Sequence, residues 1–391
     1  MSKLQELIQR LCPDGVEYKK LGEVAEVGTG SSDKKDADAN GSYPFFVRSK
    51  IVERHNCFEY NEEAVIIPGE GGIGEIFHYI NGPYALHQRV YRIHFTSTSV
   101  NTRFAYYYLF AHFKCFIMKK AVSATVTSIR KPMIETFPLA VPPLEVQEEI
   151  VRILDSFSDY AAELQAELQA RKEQYEYYRN LLLTFNPAGC AGEADDEQEG
   201  SVTTWGRHSY PIQWKTMGEV FEMSAGKAIP ADRIKNQMSE ESPIKCYGAN
   251  GLRGYVNLSS HIGPNVIIGR QGALCGNITY ATGKFYATDH AVVVCASEIF
   301  HPRFIFHMLT HANLNQYKTA GAQPGLSVSR LQSVSIPIPP LELQEKIVAI
   351  LDRFETLVND LSEGLPAEIA AVKEQYEYYR NRLLTFKEKT A

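Results

Sequence analysis

Two long stretches of the chain space their apolar residues alternately by four and three positions. The first runs Ile150, Leu154, Phe157, Ala161, Leu164, Leu168, Arg171, Tyr175, Tyr178, Leu182 and Phe185, interrupted only by Arg171. The second runs Ile347, Leu351, Phe354, Val358, Leu361, Leu365, Ile369, Val372, Tyr376, Tyr379, Leu383 and Phe386. This spacing is a coiled-coil seam, and each stretch predicts a helix of roughly 40 residues, on the order of 60 Å long. The second seam takes two consecutive steps of four, from Leu361 through Leu365 to Ile369, which is a stutter. Gly364 and Pro366 lie at that point and predict a kink or a break. The first helix carries instead a tandem tetrapeptide, Ala162-Glu163-Leu164-Gln165 followed by Ala166-Glu167-Leu168-Gln169. Two such helices closing two similar units are expected to pair antiparallel within one chain. Packing of each helix on its own domain, and pairing between two chains, are the alternatives.

The helices end alike. Residues 172–180 and 373–381 both read Lys-Glu-Gln-Tyr-Glu-Tyr-Tyr-Arg-Asn, and both blocks close on Leu-Leu-Thr-Phe. They also begin alike, at Pro142-Pro143-Leu144-Glu145-Val146-Gln147-Glu148 and Pro339-Pro340-Leu341-Glu342-Leu343-Gln344-Glu345. Ahead of the first helix, Leu4, Leu7, Ile8 and Leu11 predict a short amphipathic helix stopped by Pro13-Asp14-Gly15. Runs rich in β-branched and aromatic residues, Tyr43 to Val47, Ala64 to Ile67, Gly74 to Ile80 and Arg89 to Phe95, predict strands joined by glycine-rich turns. A helix with an aromatic stripe is expected over Thr102 to Lys119, and an extended run over Ile134 to Val141. The second half repeats the plan: Met217-Gly218-Glu219-Val220 answers Leu21-Gly22-Glu23-Val24, Val266-Ile267-Ile268 answers Val65-Ile66-Ile67, and Arg303-Phe304 answers Arg103-Phe104. A whole unit is duplicated, and its globular parts have diverged more than its helices.

The resulting expectation is an α+β fold. Two duplicated α/β domains, residues 1–143 and 205–340, are separated by long antiparallel helices, 144–185 and 341–386, forming an intramolecular coiled coil with pseudo-twofold symmetry. Residues 186–204 read as an acidic flexible linker and 387–391 as a tail.

Composition changes this picture little, and charge changes it more. At 391 residues with 44% hydrophobic content, the chain can bury two cores of ordinary size. No apolar run reaches the roughly 18 to 20 residues that cross a bilayer, and the N-terminus lacks an apolar signal segment, so no membrane role and a cytoplasmic location are expected. Seven scattered cysteines without a Cys-x-x-Cys argue against a disulfide framework or a zinc site. The net charge of −6 at first speaks against a nucleic-acid binder. However, residues 1–143 carry 17 Lys and Arg against 15 Asp and Glu, and residues 200–340 carry 12 against 7. The acid sits on the helices and the linker, leaving both globular halves modestly basic.

These features together resemble the specificity subunits of type I restriction-modification systems. The resemblance rests on the Pro-Pro-Leu-Glu-x-Gln-Glu helix starts, the Glu-Gln-Tyr-Glu-Tyr-Tyr-Arg helix ends, the duplicated half and the tetrapeptide spacer. It covers nearly the whole chain. It implies two target recognition domains, each reading one half of a split sequence on double-stranded DNA. It further implies helices that dock two methyltransferase subunits, S-adenosylmethionine carried by those partners and not by this chain, and restriction subunits that complete the nuclease. A scaffold whose domains bind proteins and not DNA is the alternative.

No catalytic constellation of the chain's own is found. There is no Gly-x-x-x-x-Gly-Lys-Ser/Thr, and neither Pro-Pro pair follows Asp or Asn as in adenine methyltransferases. Pro13-Asp14-Gly15-Val16-Glu17-Tyr18-Lys19 imitates a nuclease pattern with its acids too close together, and Asp289-His290 lacks a nearby nucleophile. No metal ligands are assigned.

Gly269-Arg270-Gln271-Gly272 is more suggestive, since Arg pairs bidentately with guanine and Gln with adenine while glycines let backbone approach DNA. The DNA-binding candidates are Lys119, Lys120, Arg130 and Lys131 in the first half. In the second they are Lys227, Lys245, Arg270, Gln271, Lys318, Gln323 and Arg330. Tyr177 and Tyr378 fall off the seams and are the candidates for partner contact.

Overall fold

The computed structural model describes residues 3–120, 128–185, 201–205, 208–272, 275–295, 297–319, 324–360 and 364–389. Most of the linker, Gln323 and Leu361 lie outside the described residues. The chain forms two compact units: unit 1 is Met1–Gln165 with Glu368–Ala391, and unit 2 is Ala166–Ala367.

Unit 1 begins with α1 (Lys3–Leu11), β1 (Glu17–Lys20), α2 (Leu21–Val24) and β2 (Ala25–Thr29). There follow β3 (Tyr43–Phe46), β4 (Glu53–His55), β5 (Tyr60–Pro68), β6 (His78–Leu86), β7 (Val90–Phe95), α3 (Thr102–Lys120), α4 (Lys131–Glu135) and β8 (Pro138–Val141). Helix α5 (Leu144–Leu183) starts here and ends in unit 2. The six-stranded sheet has the order β2-β7-β5-β6-β3-β4, with β3 and β6 parallel. β5 is central, and its run Ala64-Val65-Ile66-Ile67 is buried throughout because both faces are covered. Val65 and Ile67 join the main core with Phe104, Tyr107 and Phe113 of α3, while Ala64 and Ile66 pack with Phe46, Tyr84 and Leu86 on the other face.

Unit 2 repeats this plan. It contains β9 (Ser201–Trp205), β10 (His208–Thr216), α6 (Met217–Val220), β11 (Glu222–Ala225), β12 (Ile244–Gly248), β13 (Gly251–Val256), β14 (His261–Gly269), β15 (Ile278–Ala287) and β16 (Ala291–Cys295). Then come α7 (Pro302–His311), α8 (Val328–Gln332), β17 (Ser335–Ile338) and α9 (Leu341–Asn359), while α10 (Leu365–Leu383) belongs almost wholly to unit 1. The sheet order β11-β16-β14-β15-β12-β13 matches unit 1 strand for strand, including the parallel pair β12 and β15. Among the described residues no helix is long and apolar enough to cross a membrane.

Several sequence expectations need correction. Residues 201–204, assigned to the linker, form β9 with Trp205 and pair antiparallel with β10. Residues 387–389, assigned to a tail, are held to Val16, whose N–H donates to the Lys387 carbonyl while the Lys389 N–H donates to the Val16 carbonyl. Gly15 is needed there: it has φ +103°, and a Cβ would lie 2.6 Å from the Lys387 oxygen. The run Gly74 to Ile80 is strand only from His78 onwards, and Ile134 to Val141 opens on the last residues of α4. The second long helix is indeed two, α9 and α10, broken ahead of Gly364.

Several residues that repeat between the halves fasten helices to the segments beside them. Gln147 is fully buried: its amide nitrogen donates to the Ser99 and Pro142 carbonyls at 2.8 and 2.6 Å, and its oxygen accepts from the Asn101 N–H at 2.8 Å. Gln344 does the same with Ile299, Pro339 and His301. Gly22 and Gly218 let α2 and α6 approach Glu135 and Gln332, where an added Cβ would meet side-chain carbon at 3.0 Å. Glu23 and Glu219 each accept from the backbone N–H three residues earlier, closing the first turn.

Both units contain the start of one long helix and the end of the other. In unit 1, Phe157 of α5 stacks on Tyr379 of α10 at 5.5 Å, and the Tyr160 hydroxyl donates to Glu368 at 2.6 Å, so the two segments run antiparallel. In unit 2, Phe354 of α9 stacks on Tyr178 of α5 at 5.4 Å, which is the same pair made a second time. The nine-residue repeat docks each helix end on a globular domain. Tyr376 packs against the unit 1 core, and Tyr175 reaches His307 of α7.

A repeated ion pair ties α3 to α5 and α7 to α9. Arg103 donates to Asp155 at 3.0 Å, as Arg303 does to Asp352 at 3.0 Å. Asp352 also receives the fully buried His307 at 2.7 Å. Burial pushes the Asp352 carboxyl up, but hydrogen bonds from His307 and Arg303 outweigh it and bring the pKa down to about 2. Because the folded value lies below the unfolded one, the stabilisation is full above about pH 4 and is lost as the pH falls towards 2. Asp352→Asn is therefore expected to lower the thermal midpoint near neutral pH, with the gap to the unaltered protein narrowing below pH 4. A pH-independent gap in thermal unfolding would contradict this.

Candidate nucleic-acid interface

The Arg270-Gln271 turn follows the last residue of β14, and the backbone holds it from two other segments. Gly269 has no room for a side chain, since a Cβ would lie 1.8 Å from the Ala249 carbonyl oxygen. The Arg270 N–H then donates to the His290 carbonyl at 2.9 Å, and the Arg270 carbonyl accepts from Leu326 at 2.8 Å. Gln271 forms a bridge with Gly325, and Gly272, at φ +86°, donates to the Pro324 carbonyl at 3.1 Å. This scaffold opens onto a cleft of about 820 Å³ in unit 2, walled by Asn250, Arg253, Arg270, Gln271, His290 and Ser327. Two arginines, a histidine, an asparagine and a glutamine thus line one open space. Arg270 is half-buried, and its Nε is shielded from solvent with no hydrogen-bond partner among the described residues.

The other unit 2 candidates divide. Lys227 is exposed, and its backbone donates to Ala287, at the start of the turn that carries His290. Lys245 is exposed on β12, the strand leading into the cleft wall. Lys318 is exposed with its ammonium on the Asn315 side chain at 2.9 Å. Arg330 serves the loop itself, donating to the carbonyls of Tyr317 and Lys318 at 3.2 and 3.5 Å.

Unit 1 builds the same backbone frame with different side chains. Gly69 donates to the Arg89 carbonyl at 2.9 Å, its own carbonyl accepts from Ile129 at 2.7 Å, and Glu70 bridges Ser128. Glu70 therefore stands where unit 2 has Gln271, and Arg89 where it has His290. Arg48 and Arg89 donate to the same Glu70 oxygen, Oε2, at 3.1 and 2.9 Å. Arg130 and Lys131 follow directly on this frame and are exposed, Lys131 pairing with Glu135 at 3.6 Å. Lys119 is exposed near the end of α3, and Lys120 is the last residue of that helix.

One further cluster has the atoms of a cation site. His307, Asp352 and Glu355 place ligand-type atoms within 4.8 Å of one another. The Arg303 guanidinium already donates to both carboxylates, so a cation's place is filled by the protein's own charge.

Comparison with known proteins decides the family. The family described as type I restriction modification DNA specificity domain matches twice, over residues 13–173 and 211–371. The chain belongs to this family. It is 36% identical over 396 residues to the EcoprrI specificity subunit of Escherichia coli, covering 93% of each chain. It is 28% identical to a putative type I restriction enzyme specificity subunit of Haemophilus influenzae, covering 95% of this chain and 96% of that one. In fold it is similar to the type I restriction-modification S subunit of M. genitalium, with TM-score 0.60 at 15% identity over 96% of this chain and 97% of the other. A solved structure concerned with type I complex assembly and conformational transition gives TM-score 0.57 at 16% identity, covering 95% and 98%.

Each match to the DNA specificity domain begins in one unit's globular part and runs into the long helices. The partner candidates Tyr177 and Tyr378 are 63% and 58% exposed. Each packs edgewise on its seam neighbour, Tyr178 or Tyr379, and leaves its outer face to solvent. Leu181, one turn beyond Tyr177, is 58% exposed and extends that face. Sequence reasoning missed Arg48, Arg89 and Arg253. The signal for Arg89 was the duplication itself, which aligns it with His290 beside Arg270.

Proposed function

We propose that this chain is the non-catalytic reading subunit of a type I restriction-modification complex in the cytoplasm, with each unit recognising one half of a split DNA target. The Arg270-Gln271 turn reads bases in one half-site, and the equivalent turn of unit 1 reads the other. Lys119, Arg130, Lys131, Lys227, Lys245 and Lys318 serve the phosphates, which position the protein without carrying sequence information. Tyr177 and Tyr378, at equivalent places on two helices, each dock one methyltransferase subunit. Those subunits carry S-adenosylmethionine and methylate adenine, and restriction subunits complete the nuclease.

The observation that carries this reading is the unit 2 cleft. A backbone-fixed turn places Arg270 and Gln271 in the wall of an open space of about 820 Å³. A good bidentate pair discriminates between bases by about 1–3 kcal/mol. Arg270→Ala should therefore relax one base position in one half-site, roughly tenfold or more, and leave the other half-site intact. Sequencing of methylated adenines reads this directly, and an unchanged motif would sink the assignment. A protein-binding scaffold would instead show duplex affinity that does not fall with salt.

A further inference from the structure

The two units carry unlike residues at one matched position, and the difference is chemically directed. Gln271 offers both an amide donor and an acceptor, whereas the Glu70 carboxylate only accepts. Both arginine contacts to Glu70 fall on Oε2, so Oε1 has no partner among the described residues. The hydrogen bond from Arg89, reinforced by Arg48, holds the carboxyl below its ordinary range and keeps it ionised. A lone carboxylate would be repelled by DNA. Flanked by two guanidiniums it belongs to a group of net charge +1, and all three side chains remain partly exposed.

Resting on the reading that these turns face DNA, we infer that Glu70 determines base identity in unit 1, its Oε1 accepting from the N4 amino group of a cytosine. Carboxylates accept from cytosine N4, whereas a glutamine pairs with the N6 and N7 of adenine. Arg48 and Arg89 neutralise the carboxylate and fix its rotamer, and their remaining N–H groups suit guanine or phosphate. The matched position of unit 2, Gln271, selects adenine.

The test uses the chain assembled with its methyltransferase subunits, with the methylated motif read by sequencing. Glu70→Gln should turn one cytosine of one half-site into adenine, or lower the preference for cytosine about tenfold or more, with every other position retained. Gln271→Glu should do the reverse in the other half-site. If Gln271→Glu or Arg270→Ala alters a half-site while Glu70→Gln alters none, the inference about Glu70 fails and the reading of the cleft stands. If none of the three changes any base, both fail. Should Glu70→Gln abolish methylation, competition binding of the purified complex to duplexes varied at each position decides. A shift at one position supports the inference, and a uniform loss at all positions makes Glu70 structural and overturns it.

Discussion

Replacing Gln147 by methionine should destabilise the protein by on the order of 3–5 kcal/mol. The side chain is fully buried and satisfies three backbone groups, the carbonyls of Ser99 and Pro142 and the N–H of Asn101. Methionine fills similar volume and makes none of these bonds, and each buried backbone group left unpaired costs about 1–3 kcal/mol. Gln147→Glu should be worse, since it sets a carboxylate against two carbonyl oxygens. The equivalent Gln344→Met should act on unit 2 with similar size, because Gln344 makes the matching bonds. Urea unfolding followed by far-ultraviolet circular dichroism checks this. A loss below about 1 kcal/mol would show that water replaces the missing amide.

Deleting Ala166 to Gln169 should change the gap between the two recognised half-sites and leave their letters alone. These residues lie within the continuous helix α5, Leu144–Leu183, and carry no base-reading candidate. Removing four residues shortens a helix by about 6 Å and rotates its distal part by about 40°. With roughly 3.4 Å per base pair, the expected change is about one to two base pairs. The antiparallel partner is already interrupted ahead of Gly364, so no second continuous helix has to be cut.

Much of this architecture was legible because helical seams and internal repeats are local or periodic signals. Ile150, Leu154, Leu164, Leu168 and Tyr175 are all buried as their spacing requires. The seam misleads at its ends, where Leu183 and Leu384 are buried and Leu182 and Leu383 only partly so. There the helix no longer packs on its partner helix but on a sheet domain, as Leu384 does in the unit 1 core, and the burying direction turns by one residue. Gln147 and Gln344 stood inside a recognised motif, but their clamp depends on carbonyls more than 40 residues away, which no window of sequence shows. The bridge between Val16 and the C-terminal residues is likewise non-local. In the candidate site, Arg270 and Gln271 were visible through their flanking glycines. Arg253 and Arg48 were not, because each enters only through the folding of a neighbouring hairpin.

The central claim is that two unlike units read two unlike half-sites at a spacing set by helix length. Genome-wide sequencing of methylated adenines tests it most directly, in cells carrying the methyltransferase partner with either the unaltered chain or the deletion of Ala166 to Gln169. The account predicts a motif of two different short sequences flanking a gap of unspecified bases, with only the gap altered by the deletion. A single uninterrupted motif, or half-site letters that change with the deletion, would contradict it.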